Sequence, residues 1–93
     1  MIETVESLSK EVLFAIDAPN AKDIHLVGEF NHWKMDEGSR LSKDQDGKWA
    51  KRMGLSPGQY KYNFVVDGEW VLDSKNSERV QNAFGTFDSF IQL

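Results

Sequence analysis

Two of the three tryptophans lie beside turn residues instead of within apolar runs. Trp33 ends the segment GEFNHW (residues 28–33), and Trp70 ends the segment VDGEW (residues 66–70). A packed indole buries roughly 150–250 Å², so a tryptophan left at a loop or strand end requires an explanation. One explanation is that both rings are offered to a flat ligand. These two residues therefore predict an aromatic stacking surface.

Other residues capable of chemistry occur in patterns that favour structural roles. The two carboxylates that flank Gly68 lie in a predicted tight turn, so we expect them to be solvated and not to form a catalytic pair. His25 and His32 lack a second ligand at metal-binding spacing. The segment 42–53 imitates a calcium loop, but Met53 stands where the bidentate glutamate belongs. We therefore expect no catalytic residue, no metal and no cofactor.

Length and charge restrict the possible partners. The 93 residues suit one domain that buries roughly two-thirds of its unfolded surface. Eleven basic against 15 acidic residues give a net charge of −4 and a pI near 5.0, which opposes binding to nucleic acid. Cysteine is absent, and no apolar stretch approaches the roughly 20 residues of a membrane span. We expect no membrane partner and a cytoplasmic location.

The elements that must position these side chains are predicted to be strands. Alternating apolar and polar residues, separated by Pro-Asn, Asp-Gly and Pro-Gly turn signals, are typical of a half-buried sheet. Residues 1–10 are expected to be a lead, either disordered or a short helical turn, and residues 11–93 a single all-β antiparallel sandwich. Trp49 is expected in its core. The predicted strands are 11–16, 23–29, 39–42, 48–55, 59–66, 70–72 and 87–93, with an irregular stretch over 74–85.

The strand over residues 59–66 gives the most information about a site. Its aromatic side chains, including Tyr62, are expected in the core, so Lys61 and Asn63 must point to the opposite face of the sheet. That face is the candidate binding surface. Because Trp70 follows a two-residue turn, its strand is expected to pair antiparallel with residues 59–66 and to bring the indole near this face.

Several sequence blocks in order resemble the family-48 carbohydrate-binding module. This family includes the glycogen-binding domain of the AMP-activated protein kinase β subunit and the N-terminal domains of isoamylases and branching enzymes. The blocks are VGEFNHW (27–33), DGKW (46–49), LSPGQYKY (55–62), FVVDGEW (64–70) and Asp73, and the resemblance covers roughly residues 11–93. It implies an immunoglobulin-like β-sandwich that binds α-1,4-glucans, such as glycogen, starch or malto-oligosaccharides, without catalysis.

The resemblance also implies a set of binding residues, with two departures from the family pattern. The sugar-stacking tryptophans fall on Trp33 and Trp70, and the family's loop leucine falls on Phe84. A strand lysine is replaced by Asn63, and an asparagine by Asp88. Lys61 lies on the same face and could supply the missing donor. The implied carbohydrate site consists of Trp33, Trp70, Lys61, Asn63, Phe84, Thr86 and Asp88.

Two alternatives remain open at the level of sequence. The same sandwich could be a protein-interaction module whose sugar site has decayed, docking to a kinase or to the catalytic domain of a glycoside hydrolase or branching enzyme. The lost lysine favours this alternative. A small enzyme is the least favoured hypothesis, because the chain has no nucleophile elbow and no carboxylate pair with a cleft to hold it.

Overall fold

The computed structural model describes residues 9–93, which fold into eight strands and two short 3-10 helices. The 3-10 helices span Glu29–Asn31 and Glu37–Ser39. The strands are β1 (Lys10–Asp17), β2 (Ile24–Gly28), β3 (Ser42–Lys43), β4 (Lys48–Leu55), β5 (Gln59–Val66), β6 (Glu69–Val71), β7 (Arg79–Gln81) and β8 (Phe87–Gln92).

The strands form two antiparallel sheets. The smaller sheet has the order β1-β4-β3, and the larger has the order β2-β5-β8-β7, with β6 pairing to β5 beyond the end of β8. β5 is the central strand of the larger sheet, since it pairs with β2 along one edge and with β8 and β6 along the other. The predicted antiparallel β-sandwich is confirmed.

The core lies between the two sheets. Phe14 and Trp49 come from the smaller sheet, and Leu26, Tyr62 and Phe64 come from the larger one. The rings of Phe14 and Tyr62 meet edge to face, with centroids 4.9 Å apart. Burial of each such side chain contributes about 1.5–3 kcal/mol relative to exposure. The predicted place of Trp49 in the core is confirmed, because only 6% of it is exposed.

The strands differ from the sequence prediction by more than a shift of one residue at an end in two places. The segment predicted as a strand over 39–42 contains the end of a 3-10 helix and an isolated bridge between Arg40 and His25, and β3 begins only at Ser42. The stretch predicted to be irregular contains β7, a three-residue edge strand paired with β8. The predicted lead over residues 1–10 falls almost entirely outside the described residues, apart from Ser9 and from Lys10, which begins β1.

A buried polar network joins β5 to the segment before β7. Tyr62 donates a hydrogen bond to Asp73 Oδ2 at 2.7 Å and accepts one from Asn76 Nδ2 at 3.0 Å. The backbone N–H of Asp73 in turn donates to Ser89 Oγ. Burial raises the pKa of the Tyr62 phenol well above its ordinary value; the bond from Asn76 opposes this rise, and the bond to Asp73 adds to it.

Between residues 9 and 93, no helix has the length and apolar character needed to cross a membrane.

Candidate functional site

The β5–β6 hairpin positions Trp70 on the outer face of the larger sheet. Trp70 lies directly opposite Val65 in the antiparallel register, so its side chain shares a face with Lys61 and Asn63. This arrangement confirms the predicted pairing. The indole remains 54% exposed.

Much of this outer face is covered, contrary to its expected exposure. Val27, Asn63 and Val65 are 0%, 4% and 2% exposed, yet the two valines do not belong to the core cluster between the sheets. The segment after β2 returns to that strand, where Arg40 forms a bridge with His25, and the Ser39 hydroxyl hydrogen-bonds to the His25 ring on this face. Only part of the face, near Lys61 and Trp70, is open.

Trp33 is held by a tightly built loop at the end of β2. The side chain of Asn31 accepts a hydrogen bond from the Gly28 N–H at 3.0 Å and donates one to the Leu26 carbonyl at 2.9 Å. His32 and Trp33 both adopt left-handed backbone conformations, with φ of 57° and 60°. Such conformations are unfavourable for residues with a Cβ, and they persist only where the surroundings impose them. The hydrogen bond from Trp33 N–H to the Gly28 carbonyl closes the loop.

Gly28 permits this loop to lie against β5. A Cβ at this position would lie 2.6 Å from the Lys61 carbonyl oxygen and 2.8 Å from the Tyr62 Cβ, which are distances that real Cβ atoms do not tolerate. The glycine is therefore required by close approach of the backbones, since its own φ of −174° is ordinary extended backbone.

Trp33 and Trp70 come together although 36 residues separate them in the sequence. Their ring centroids lie 6.1 Å apart, with an angle of 32° between the planes. The rings are thus neighbours that meet at a shallow angle. The two indoles therefore form a single aromatic cluster.

A turn between β7 and β8 carries the most exposed aromatic residue, Phe84, which is 92% exposed. Asn82 organises this turn. Its Oδ1 accepts hydrogen bonds from the backbone N–H groups of Phe84 and Thr86, and its Nδ2 donates to Thr86 Oγ1. Gly85 supplies the left-handed conformation, with φ of 85°. The exposed ring is therefore mounted on an ordered turn.

Asn63 and Asp88 form the polar floor beneath these aromatic residues. Asn63 Nδ2 donates to Asp88 Oδ1 at 2.8 Å, and Asn82 Nδ2 donates to the same oxygen at 3.2 Å. Asn63 Oδ1 is sealed from solvent and has no hydrogen-bond partner among residues 9–93. The opposite orientation of the amide would place two oxygens 2.8 Å apart, so the carboxylate fixes the orientation of the amide.

All seven residues predicted for the site line one open groove with a volume of about 1050 Å³. The groove has further lining residues that sequence reasoning did not identify. Asn82 could have been found from its place in an Asn-x-x-Gly-Thr turn, because asparagine side chains commonly bond the backbone two residues onward. The additional lining residues are Glu29, Leu72, Asn82, Ala83, Gly85 and Phe87.

The rim of the groove carries one cation and one further carboxylate. Lys61 lines the groove beside Glu29, whose Oε1 accepts the backbone N–H of Lys61 at 2.9 Å. This N–H lies past the end of β2, so the Glu29 carboxylate supplies the acceptor that the strand no longer provides. Within the described part of the chain, the Lys61 ammonium is not in an ion pair.

A serine, a histidine and an aspartate also lie in contact outside the groove. Ser39 Oγ is 2.7 Å from His25 Nδ1, and His25 Nε2 is 3.1 Å from Asp23 Oδ2. Ser39 is only 1% exposed, and its Oγ is also engaged with the backbone of Asp36. A substrate has no access to a hydroxyl held in this way. The cluster fastens the segment after β2 to β2 itself.

Comparison with protein families identifies what this arrangement is similar to. The family described as "Glycogen recognition site of AMP-activated protein kinase" matches residues 12–93, which include β2 to β8 and every residue of the groove. The chain belongs to this family. It is a carbohydrate-binding module of the glycogen-recognition type.

Individual relatives agree with this assignment. The 1,4-alpha-glucan branching enzyme GlgB of Mycobacterium sp. (strain KMS) is 34% identical over 85 residues, which cover 90% of this chain and 11% of that enzyme. The chloroplastic protein PTST homolog 2 of Arabidopsis thaliana is 34% identical over 56 residues, which cover 59% of this chain and 10% of that protein. The chain thus spans about a tenth of the length of these curated relatives.

A solved structure supports the same fold. The maltogenic amylase from S. marinus superimposes with a TM-score of 0.67 at 29% sequence identity, covering 89% of this chain and 13% of the amylase chain. The module is therefore similar to one part of a much longer enzyme.

Proposed function

We propose that this chain binds α-1,4-linked glucans of the glycogen or starch type and catalyses no reaction on them. The observation that carries the proposal is the meeting of Trp33 and Trp70, 6.1 Å apart, on the wall of a groove that also contains hydrogen-bonding side chains. Family membership supports the same substrate class.

The chemistry of glucose suits the composition of this groove. A glucopyranose unit has an apolar face of C–H groups and a rim of hydroxyls. Indole rings stack on the apolar face, while amide, carboxylate and ammonium groups engage the hydroxyls. In this proposal Trp33 and Trp70 bind the faces of neighbouring sugar units. Phe84 contacts the glucan from the opposite side of the groove, and the hydroxyl contacts come from Lys61, Asn63, Thr86 and Asp88.

The expected affinity is weak. If each indole removes roughly 80–100 Å² from water on a sugar face, the pair contributes on the order of 4–5 kcal/mol at about 25 cal/mol/Å². The loss of translational and rotational freedom on association is of comparable size. We therefore expect dissociation constants on the order of 10 µM to 1 mM for short oligosaccharides, with tighter apparent binding to polymers through repeated sites.

The docking alternative has less support than glucan binding. A decayed sugar site would not be expected to keep both tryptophans, one of them 54% exposed, together with a fully exposed phenylalanine on an ordered turn. Attachment to a longer catalytic protein is compatible with glucan binding, since the matched relatives are about ten times longer. In that setting the module would bring glucan to the catalytic domain. A cytoplasmic location remains part of the proposal, although one relative is named as chloroplastic.

Titration with β-cyclodextrin and maltoheptaose, followed by tryptophan fluorescence, tests this function. Saturable binding is expected, and cellohexaose, whose β-1,4 links make a straight chain, should bind at least about tenfold more weakly. Equal binding of the two glucan types, or no binding at millimolar concentrations, would contradict the proposal. Release of reducing ends from amylose by the purified chain would contradict its non-catalytic part.

A further inference from the structure

The floor of the groove contains a carboxylate whose charge is not neutralised by a nearby cation. Asp88 is 8% exposed, and its hydrogen bonds come from the neutral amides of Asn63 and Asn82. Across residues 9–93, no lysine, arginine or histidine nitrogen lies within 4.0 Å of it. Burying a carboxylate is costly unless it is hydrogen-bonded, and here the two amides are its donors among the described residues.

The hydrogen-bonding atoms that lack partners on the floor of the groove are acceptors. Asp88 Oδ1 is occupied by the two amides, whereas Oδ2 accepts no hydrogen bond from the described residues and is not sealed from solvent. Asn63 Oδ1 also lacks a donor, but it is sealed from solvent, so of these two oxygens only Asp88 Oδ2 is accessible to a ligand. A ligand that satisfies this floor must bring hydrogen-bond donors. It must not bring further negative charge, since two like charges repel strongly where water is partly excluded.

We propose that Asp88 makes the groove selective for uncharged α-glucans and against glucans that are phosphorylated on the bound units. This inference rests on the proposed function, because it assigns a specificity to the same groove. The hydroxyls of an unmodified glucan donate to Asp88. A phosphate monoester carries about −1.5 to −2 charges at neutral pH and brings acceptor oxygens in place of a donor.

The other charges of the groove do not reverse this preference. Glu29 adds a second negative group at the rim, so the lining contains two carboxylates and one ammonium, that of Lys61. Lys61 is partly exposed, and its charge is therefore screened by solvent and salt more than that of the buried Asp88. Its contribution can be measured with Lys61→Gln, which should increase the selectivity against phosphorylated glucan.

The test compares β-cyclodextrin with its heptakis-6-phosphate. Every glucosyl unit of the second ligand carries a phosphate, so whichever units bind in the groove are charged. We expect the unmodified ring to bind at least about fivefold more tightly at low salt, with the ratio falling as sodium chloride shortens the screening length. Binding of the phosphorylated ring as tightly as the unmodified ring would overturn the inference and leave the proposed function standing. Failure of the unmodified ring to bind would overturn both.

Two variants separate the local charge of Asp88 from the overall charge of the chain. Asp88→Asn removes the charge but keeps an oxygen that can accept from Asn63 and Asn82. Asp46→Asn makes the same change in net charge on the exposed β3–β4 turn, in the other sheet. We expect Asp88→Asn to reduce the ratio of the two dissociation constants at least about threefold and Asp46→Asn to leave it nearly unchanged. An equal effect of both variants would overturn the inference, and equal binding of the two rings by the unsubstituted chain would overturn it even if Asp88→Asn unfolds.

Discussion

Trp33 and Trp70 lie with ring centroids 6.1 Å apart and planes inclined at 32°, although they come from a loop and a strand that are distant in sequence. If this pair is the sugar-stacking surface, removal of either ring should weaken glucan binding strongly. We expect Trp33→Ala and Trp70→Ala each to raise the dissociation constant for β-cyclodextrin at least about tenfold, because each loses about 2 kcal/mol of apolar contact. Isothermal titration calorimetry measures this change without relying on tryptophan fluorescence.

Trp49 provides the matched control for these variants. It lies on β4 in the other sheet, is 6% exposed, and donates from Nε1 to the Ala18 carbonyl at 2.9 Å. Trp49→Phe should lower the melting temperature, since it leaves a cavity and removes one of the two hydrogen bonds to the Ala18 carbonyl, but leave affinity within about twofold. The stacking interpretation would be wrong if Trp49→Phe weakened binding as much as Trp70→Ala.

Gly28 should be intolerant of a single methyl group. Gly28→Ala places a Cβ 2.6 Å from the Lys61 carbonyl, so either the β2–β5 pairing or the Trp33 loop must shift. We expect a loss of at least about 2 kcal/mol in the free energy of unfolding, measured with urea. Gly54 is the comparison, because a Cβ there meets nothing within 4 Å. Gly54→Ala should change stability by no more than about 0.5 kcal/mol.

The Tyr62 network should make the domain less stable in alkali. Burial keeps the phenol neutral in the folded chain and raises its pKa above 10.0, its value in the unfolded chain. Above pH 10 the unfolded state therefore releases the proton first, and stability that is fully present at lower pH falls as pH rises toward the folded-state pKa. Urea titrations between pH 8 and 11 should show this decline. Tyr62→Phe should make it shallower, because it removes the titrating group.

The sequence predicted the parts of the site that depend on local rules. Alternation along β5 assigned Tyr62 to the core and Asn63 to the opposite face, and the Asp-Gly turn fixed the antiparallel return that carries Trp70. Both follow from the period of two in a strand and from the geometry of a two-residue hairpin. Spacing within a strand is therefore sufficient to place a side chain on a face.

Whether a face is exposed depends on segments that are distant in sequence, and here the prediction was incomplete. Asn63 and Val65 are buried, and on the same face the segment after β2 is fastened by the bond between Ser39 and His25. No periodic pattern predicts that contact. The edge strand β7 was missed for a related reason, since three residues give too short a run to show alternation, and its pairing with β8 depends on the turn around Asn82.

The ordered turn that carries Phe84 should depend on Asn82. Asn82→Ala removes the acceptor for two backbone N–H groups and one of the two amide donors to Asp88 Oδ1. The turn would then populate several conformations. A ligand that binds only one of them would have to order the turn, and the free-energy cost of this ordering would weaken binding. We expect β-cyclodextrin to bind about three- to tenfold more weakly, with a loss of about 1 kcal/mol in stability. Asn20→Ala, in an exposed turn after β1, should change neither quantity measurably. Unchanged affinity in Asn82→Ala would contradict a role in binding for the turn order that Asn82 provides.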